Sequence, residues 1–180
     1  RACGQAGVLI AVGGGGTVRA NTVCDNLRHG VECCSNASGL HVSNNTITGH
    51  ASGVGVLVRD GGGGLWEGNT IRANLIGVEV TAGSRPDLHR NTIHANHREG
   101  LVVRDGGVAS VRGCTLRANG GERVTHSSSR RGNRLHGDDA GAGVVVHPGG
   151  EAIMSGNQIA MNKGAGVFAH ADARATFSDG

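Results

Sequence analysis

Tyrosine is absent from this chain of 180 residues, which holds only two Phe and one Trp. Sugar-stacking clefts and aromatic platforms for single-stranded nucleic acid both rely on exposed rings, so the scarcity argues against each. No apolar run is long enough for a membrane span, and no stretch has the layout of a signal peptide. The ten His include no His-x-x-x-His pair with an adjoining acid, so neither a metal site nor a cofactor is expected. Charge of one sign is not concentrated either. The formal net charge is +3 and the 17 Lys and Arg are spread along the chain, too mild a balance to imply nucleic acid. Five cysteines, Cys3, Cys24, Cys33, Cys34 and Cys114, include no Cys-x-x-Cys and leave one thiol over in any disulfide scheme, which points to a reducing, intracellular compartment, cytoplasmic or nuclear. The 34 Gly lie far below the one-third that collagen requires, yet recur too often for long amphipathic helices.

What the chain does have is a recurring phrase, plainest as Asn69-Thr70-Ile71-Arg72-Ala73-Asn74 and Asn91-Thr92-Ile93-His94-Ala95-Asn96. Its first position falls at Asn21, Asn45, Asn69, Asn91, Cys114, Asn133 and Asn157, mostly 22 to 24 residues apart. Two residues on stands Val23, Ile47, Ile71, Ile93, Leu116, Leu135 or Ile159. Five residues on stands Asn26, His50, Asn74, Asn96, Asn119, Asp138 or Asn162. Upstream of most phrases comes a Gly with alternating apolar residues, as in Gly55-Val56-Leu57-Val58 and Gly143-Val144-Val145-Val146. Each unit therefore reads as a strand, a Gly-rich turn, a second strand and an Asn-marked turn.

Short strands at this period predict an all-β fold: a right-handed, single-stranded parallel β-helix of about seven coils of 22 to 24 residues, spanning 1–180 as one domain. Leucine-rich repeats share the length but demand a Leu-x-x-Leu-x-Leu column that is missing. Strands of successive coils lie about 4.8 Å apart, so equivalent residues stack on one another. Val56 and Val58, Val78 and Val80, and Val144 and Val146 are expected inside, joined by Val18, Val42, Trp66, Leu88, Val111 and Met154. The ladder Asn21, Asn45, Asn69, Asn91, Asn133 and Asn157 is expected at a corner, with the Asn taking a left-handed backbone and its amide bridging successive coils. Cys33 and Cys114 read as small buried fillers. Residues 120–132 break the pattern and read as an irregular or looped-out coil. The chain opens at Arg1 without an initiator Met and stops part-way through a coil, so it reads as a fragment of a longer protein.

Function must then sit on outward positions. Glu32, Arg59, Glu79, Thr81, Arg104, His147 and His170 are expected along one face. Val58-Arg59-Asp60-Gly61-Gly62 returns as Val103-Arg104-Asp105-Gly106-Gly107, giving a charged stripe. Arg59, Asp60, Glu79, Arg104, Asp105 and His147 are the candidate binding surface. Charge reversal at the two Arg is expected to weaken partner capture and leave thermal unfolding nearly unchanged. Asp138 and Asp139 are the only paired carboxylates that suggest acid and base catalysis, but Asp138 falls on the second polar column, and no catalytic residue is assigned.

The segments Gly64-Leu65-Trp66-Glu67-Gly68-Asn69-Thr70-Ile71, Gly77-Val78-Glu79-Val80 and Pro86-Asp87-Leu88-His89-Arg90-Asn91-Thr92-Ile93 resemble the β-helix region of F-box-type ubiquitin ligase substrate receptors. They also resemble the wider set of carbohydrate-binding and sugar-hydrolysing, pectin-lyase-like β-helix domains. The first resemblance implies a solenoid that binds a protein substrate while an F-box elsewhere recruits a ligase scaffold. The second implies a polysaccharide lyase, hydrolase or epimerase, and a structural or adhesive repeat is the third class. The expected function is a non-catalytic recognition scaffold with a protein partner or a ligase scaffold component, polysaccharide being the alternative and nucleic acid and membrane excluded.

Overall fold

The computed structural model describes residues 6–11, 13–34, 39–121 and 140–178. The first coil is β1 (Ala6–Ile10), β2 (Gly16–Arg19) and β3 (Thr22–Cys24), and the second is β4 (His29–Cys34), β5 (Leu40–Ser43) and β6 (Thr46–Thr48). The third is β7 (Val54–Arg59), β8 (Leu65–Glu67) and β9 (Thr70–Arg72), and the fourth is β10 (Ile76–Val80), β11 (Asp87–His89) and β12 (Thr92–His94). Next come β13 (Leu101–Val103), β14 (Val108–Arg112) and β15 (Thr115–Arg117), then β16 (Val144–Val146), β17 (Glu151–Ser155) and β18 (Gln158–Ala160). A seventh coil opens with β19 (Val167–Ala169) and β20 (Arg174–Ser178). Every third strand pairs in parallel, giving two sheets of seven strands and one of six. The chain is a right-handed parallel β-helix, the hand that parallel crossovers almost always take.

Each coil carries three strands where the sequence pattern suggested two. The third is the phrase itself: Thr-Ile-X forms a short strand between two corners, with its middle residue inside. Val23, Ile47, Ile71, Ile93, Leu116 and Ile159 are vertical neighbours in that sheet. Ile47, Ile93 and Leu116 are fully buried, each side chain stabilising the stack by about 1.5–3 kcal/mol through removal from water. The expected columns of the other two sheets are also buried, with Val56, Val58, Val78, Val80, Val144 and Val146 facing Val42, Trp66, Leu88, Val111 and Met154 across the core. Trp66 is completely enclosed, and its ring N–H donates to the Gly63 carbonyl at 3.0 Å.

Two polar ladders stitch the corners. In the first, the backbone N–H of each rung donates to the Oδ1 of the rung one coil on, from Asn21 through Asn45 and Asn69 to Asn91, at 2.9 to 3.0 Å. Each amide Nδ2 also donates back to a carbonyl, Asn45 to Val18, Asn69 to Val42, Asn91 to Trp66 and Asn157 to Val111. The second ladder runs Asn26, His50, Asn74, Asn96, Asn119 and Asn162 with N–H donation at 3.1 to 3.2 Å.

The left-handed residue is not the ladder Asn but the one before it. Ala20, Asn44 and Arg90 precede the first ladder with φ of 52 to 57°, and Asp25, Ala73, Ala95, Ala118 and Met161 precede the second. That residue turns the chain, which aims the next N–H along the stack axis. The Asn is selected for its amide. Cys114 is likewise more than a filler: its Sγ accepts the Asn91 N–H at 3.4 Å and its thiol donates to the Leu88 carbonyl at 3.3 Å, doing the work of an Asn rung.

Asn133, Leu135 and Asp138 lie outside the described residues. Cys114 donates directly to Asn157 at 2.8 Å and Asn119 directly to Asn162, while Leu116 pairs with Ile159. The ladders and the Ile column thus pass directly from the fifth coil to the sixth.

The Gly at the start of each first-sheet strand has a steric cause. A Cβ on Gly77 would lie 2.4 Å from the Gly100 carbonyl oxygen, 2.6 Å from Ile93 and 2.9 Å from the Asn96 amide. Only hydrogen fits where the second ladder and the Ile column converge on this strand.

Candidate functional site

The outward side chains form straight columns, one pair per sheet. On the first sheet, Glu32, Leu57, Glu79, Val102 and Val145 share a column, and Cys34 and Arg59 stand in register beside it. Glu32 is only 2% exposed although it points away from the core. Arg59 covers it, donating from Nε at 2.7 Å and from a terminal nitrogen at 2.6 Å to one carboxylate oxygen, while its other arm holds Asp60. Two coils on, Arg104 repeats the arrangement with Glu79, at 2.8 and 2.6 Å, and with Asp105. Asp105 also accepts from the Thr81 hydroxyl at 3.2 Å. The hydrogen bond to Glu32 raises the Arg59 pKa. At Arg104 desolvation pulls the pKa down, but Glu79 and Asp105 together leave it raised.

The structure therefore brings five of the six candidate binding residues into two clamps and changes what they offer. Glu79 is buried, not displayed. Each clamp sets two carboxylates against one guanidinium and so has a net formal charge of −1, leaving neither Arg59 nor Arg104 free. The expectation that Arg59 and Arg104 could be reversed without touching stability is corrected, because loss of Arg59 strands a buried Glu32. The sixth candidate, His147, stacks on His170 with ring centroids 4.6 Å apart, and Phe168 meets His170 edge-on at 4.9 Å. Asp138 and Asp139 lie outside the described residues.

The second sheet carries Glu67 between His41 and His89, at 3.5 and 3.4 Å, with Asp87 paired to Arg112 nearby. These residues were not singled out from sequence. Among the described residues no group of three His, Cys, Asp or Glu has the geometry to hold a metal ion.

The third sheet shows a different chemistry. Thr22, Thr46, Thr70, Thr92, Thr115 and Gln158 form one outward column, and Cys24, Thr48, Arg72, His94, Arg117 and Ala160 form the other. Arg72 and Arg117 are exposed, and their side chains make no ion pair or hydrogen bond among the described residues. His94 between them has its pKa lowered, first by partial burial and then by the charges of Arg117 and Arg72. Sequence reasoning passed over this column. The signal was the fourth letter of each Asn-Thr-Ile-X phrase, which reads Thr, Arg, His and Arg in successive coils but carries no meaning until those letters are known to share a face.

The thiols of Cys33 and Cys114 pack inside, whereas Cys24 is exposed. Cys33 is buried and Cys34 half-buried on opposite faces of β4, and burial raises the Cys33 pKa. Two concavities among the described residues, of about 570 and 300 Å³, lie at the ends of the stack. They are lined by Val8, Val18 and Val23 at one end and by Met154, Ile159 and Phe177 at the other, so they are cross-sections of the core and not clefts. Among the described residues no helix is long and apolar enough to cross a membrane.

Stacked parallel coils with internal amide ladders define a β-solenoid protein. The family model described as a right handed beta helix region matches residues 1–140 and, in a second overlapping match, residues 50–180, and the chain belongs to that family. No curated protein and no solved structure matches it.

Proposed function

We propose that the chain is a non-catalytic recognition scaffold that binds a protein partner along the faces of its coils. The carrying observation is the third sheet, where Arg72, His94 and Arg117 stand in one column beside Thr70, Thr92 and Thr115 in the next, with donors directed outward. A solenoid holds such groups at fixed spacing before a ligand arrives, so little ordering entropy opposes binding. The rim of the first sheet, Arg59, Asp60, Glu79, Arg104 and Asp105 with His147, adds an acidic edge that steers a partner by charge. The finer form of the proposal makes the chain the substrate-receptor part of an F-box-type ubiquitin ligase, supported by the resemblance of its coils to those receptors. Co-purification of the full-length protein with a ligase adaptor tests that form, and its absence removes it.

Incubation with a panel of acidic polysaccharides tests the scaffold reading against an enzyme. The expected result is no new reducing ends and no unsaturated product. Turnover of any of them would overturn the reading.

A further inference from the structure

We propose that the third sheet is a docking strip for an extended acidic peptide lying along the solenoid axis, with carboxylates three residues apart meeting Arg72 and Arg117. The inference deepens the scaffold reading and rests on it. Three properties of the strip select this occupant.

The first is charge. Arg72, His94 and Arg117 stack in register on β9, β12 and β15, and no carboxylate among the described residues pairs with either Arg. The electrostatic influences on His94 come from Arg117 and Arg72 alone, and both disfavour its protonation, as expected where positive charge accumulates without compensation. The first sheet, by contrast, spends its guanidinium groups on Glu32, Glu79, Asp60 and Asp105. An anionic partner thus meets, on the third sheet, a column of guanidinium groups that no carboxylate among the described residues engages, whereas those of the first sheet are already held.

The second is spacing. Arg72 and Arg117 are two coil rises apart, about 10 Å. A polyproline II segment advances about 3.1 Å per residue with three residues per turn, so side chains three apart fall on the same side about 9.3 Å from each other. The strip's period and that of the peptide agree to within the reach of an Arg side chain. Guanidinium groups bind carboxylates through paired N–H donors, which favours a carboxylate-bearing ligand over a diffuse charge.

The third is the adjoining column. Thr70, Thr92 and Thr115 present hydroxyls that have no hydrogen-bond partner among the described residues. A polyproline II backbone makes no internal hydrogen bonds, so its carbonyls are free to accept from them. An acidic polysaccharide shares the charge, but no Phe or Trp ring on this strip offers its sugar rings a stacking surface. Trp66 is enclosed in the core, and Phe168 and Phe177 belong to the other two sheets.

The test is fluorescence anisotropy with a labelled peptide of repeated Glu-Pro-Pro triplets, against a Glu-Pro repeat, a Lys-Pro-Pro repeat and an oligogalacturonate. The expected result is salt-sensitive binding of the Glu-Pro-Pro peptide, weaker binding of the Glu-Pro repeat and none of the Lys form. Arg72→Gln with Arg117→Gln should weaken binding about tenfold or more, the scale of a charge-assisted hydrogen bond, with unchanged thermal unfolding because both side chains are exposed. No binding of the Glu-Pro-Pro peptide, or equal binding by the double variant, overturns the strip. Tighter, Arg-dependent binding of the oligogalacturonate overturns the peptide as its occupant. Failure of the strip is distinct from failure of the non-catalytic reading, which falls on polysaccharide turnover.

Discussion

Replacing Cys114 by Asn should stabilise the protein, and the size of the effect follows from the first ladder. Where Asn fills a rung, the preceding N–H reaches Oδ1 at 2.8 to 3.0 Å and the amide reaches a carbonyl at 2.7 to 2.9 Å. At Cys114 the same two contacts are made by sulfur at 3.4 and 3.3 Å. Sulfur is a weak donor and a weak acceptor, so the rung is formed but underpowered. An amide there should gain about 0.5–1.5 kcal/mol, the net worth of a normal hydrogen bond. In a domain of this size each 1 kcal/mol moves the melting temperature by about 2–4 °C. Cys114→Ala makes the opposite change, leaving the buried Asn91 N–H without its acceptor at a cost of about 1–3 kcal/mol. Urea unfolding of the parent and both variants gives the order, and native-state hydrogen exchange at the Asn91 amide locates it, with faster exchange in the Ala variant and slower in the Asn variant. An Asn variant no more stable than the Ala variant would refute the assignment of Cys114 as a rung.

Three further outcomes are expected. Arg59→Leu should destabilise by about 3 kcal/mol by stranding buried Glu32, and the double change Glu32→Leu with Arg59→Leu should recover most of it; a double variant as unstable as the single one would show that the clamp is not the cause. Gly77→Ala should destabilise by about 1–3 kcal/mol or more through overlap with Gly100, Ile93 and Asn96, whereas Gly83→Ala, which meets no atom within 4 Å, should show only the cost of its positive φ; equal melting of the two would remove the steric explanation. His29 has its pKa lowered, first by burial, and its Nδ1 accepts the Val54 N–H at 3.2 Å. The unfolded chain therefore takes up that proton first, so stability should be constant above the ordinary His range and fall as pH drops through about 6.5, and a pH series of urea midpoints should be flatter for His29→Asn.

The repeat was legible because stacking forces like onto like. A column of Ile or Asn is written into the chain at a fixed interval, and that interval alone places Ile71 and Ile93 as neighbours. The charged stripe was legible only as residue types. Nothing in Val58-Arg59-Asp60 says that Arg59 bends back onto Glu32 of the preceding coil, because that contact joins residues 27 apart in sequence through a register that spacing alone leaves open. The direct step from the fifth coil to the sixth is hidden in the sequence for the same reason. Only the pairing of Leu116 with Ile159 shows which coils are neighbours there.

Sequence by itself determined the all-β solenoid, its coil length, its buried columns and the residue types at the ladder corners, since these depend on period and polarity and both are local properties of the chain. Tertiary structure decided which residue of each corner takes the left-handed backbone, which charges neutralise one another and which remain free. Those outcomes depend on distances between coils. Two faces with similar numbers of Arg thus differ: on the first, each guanidinium lies beside a buried Glu from the coil before, and on the third, Arg72 and Arg117 flank His94 with no acid within reach among the described residues.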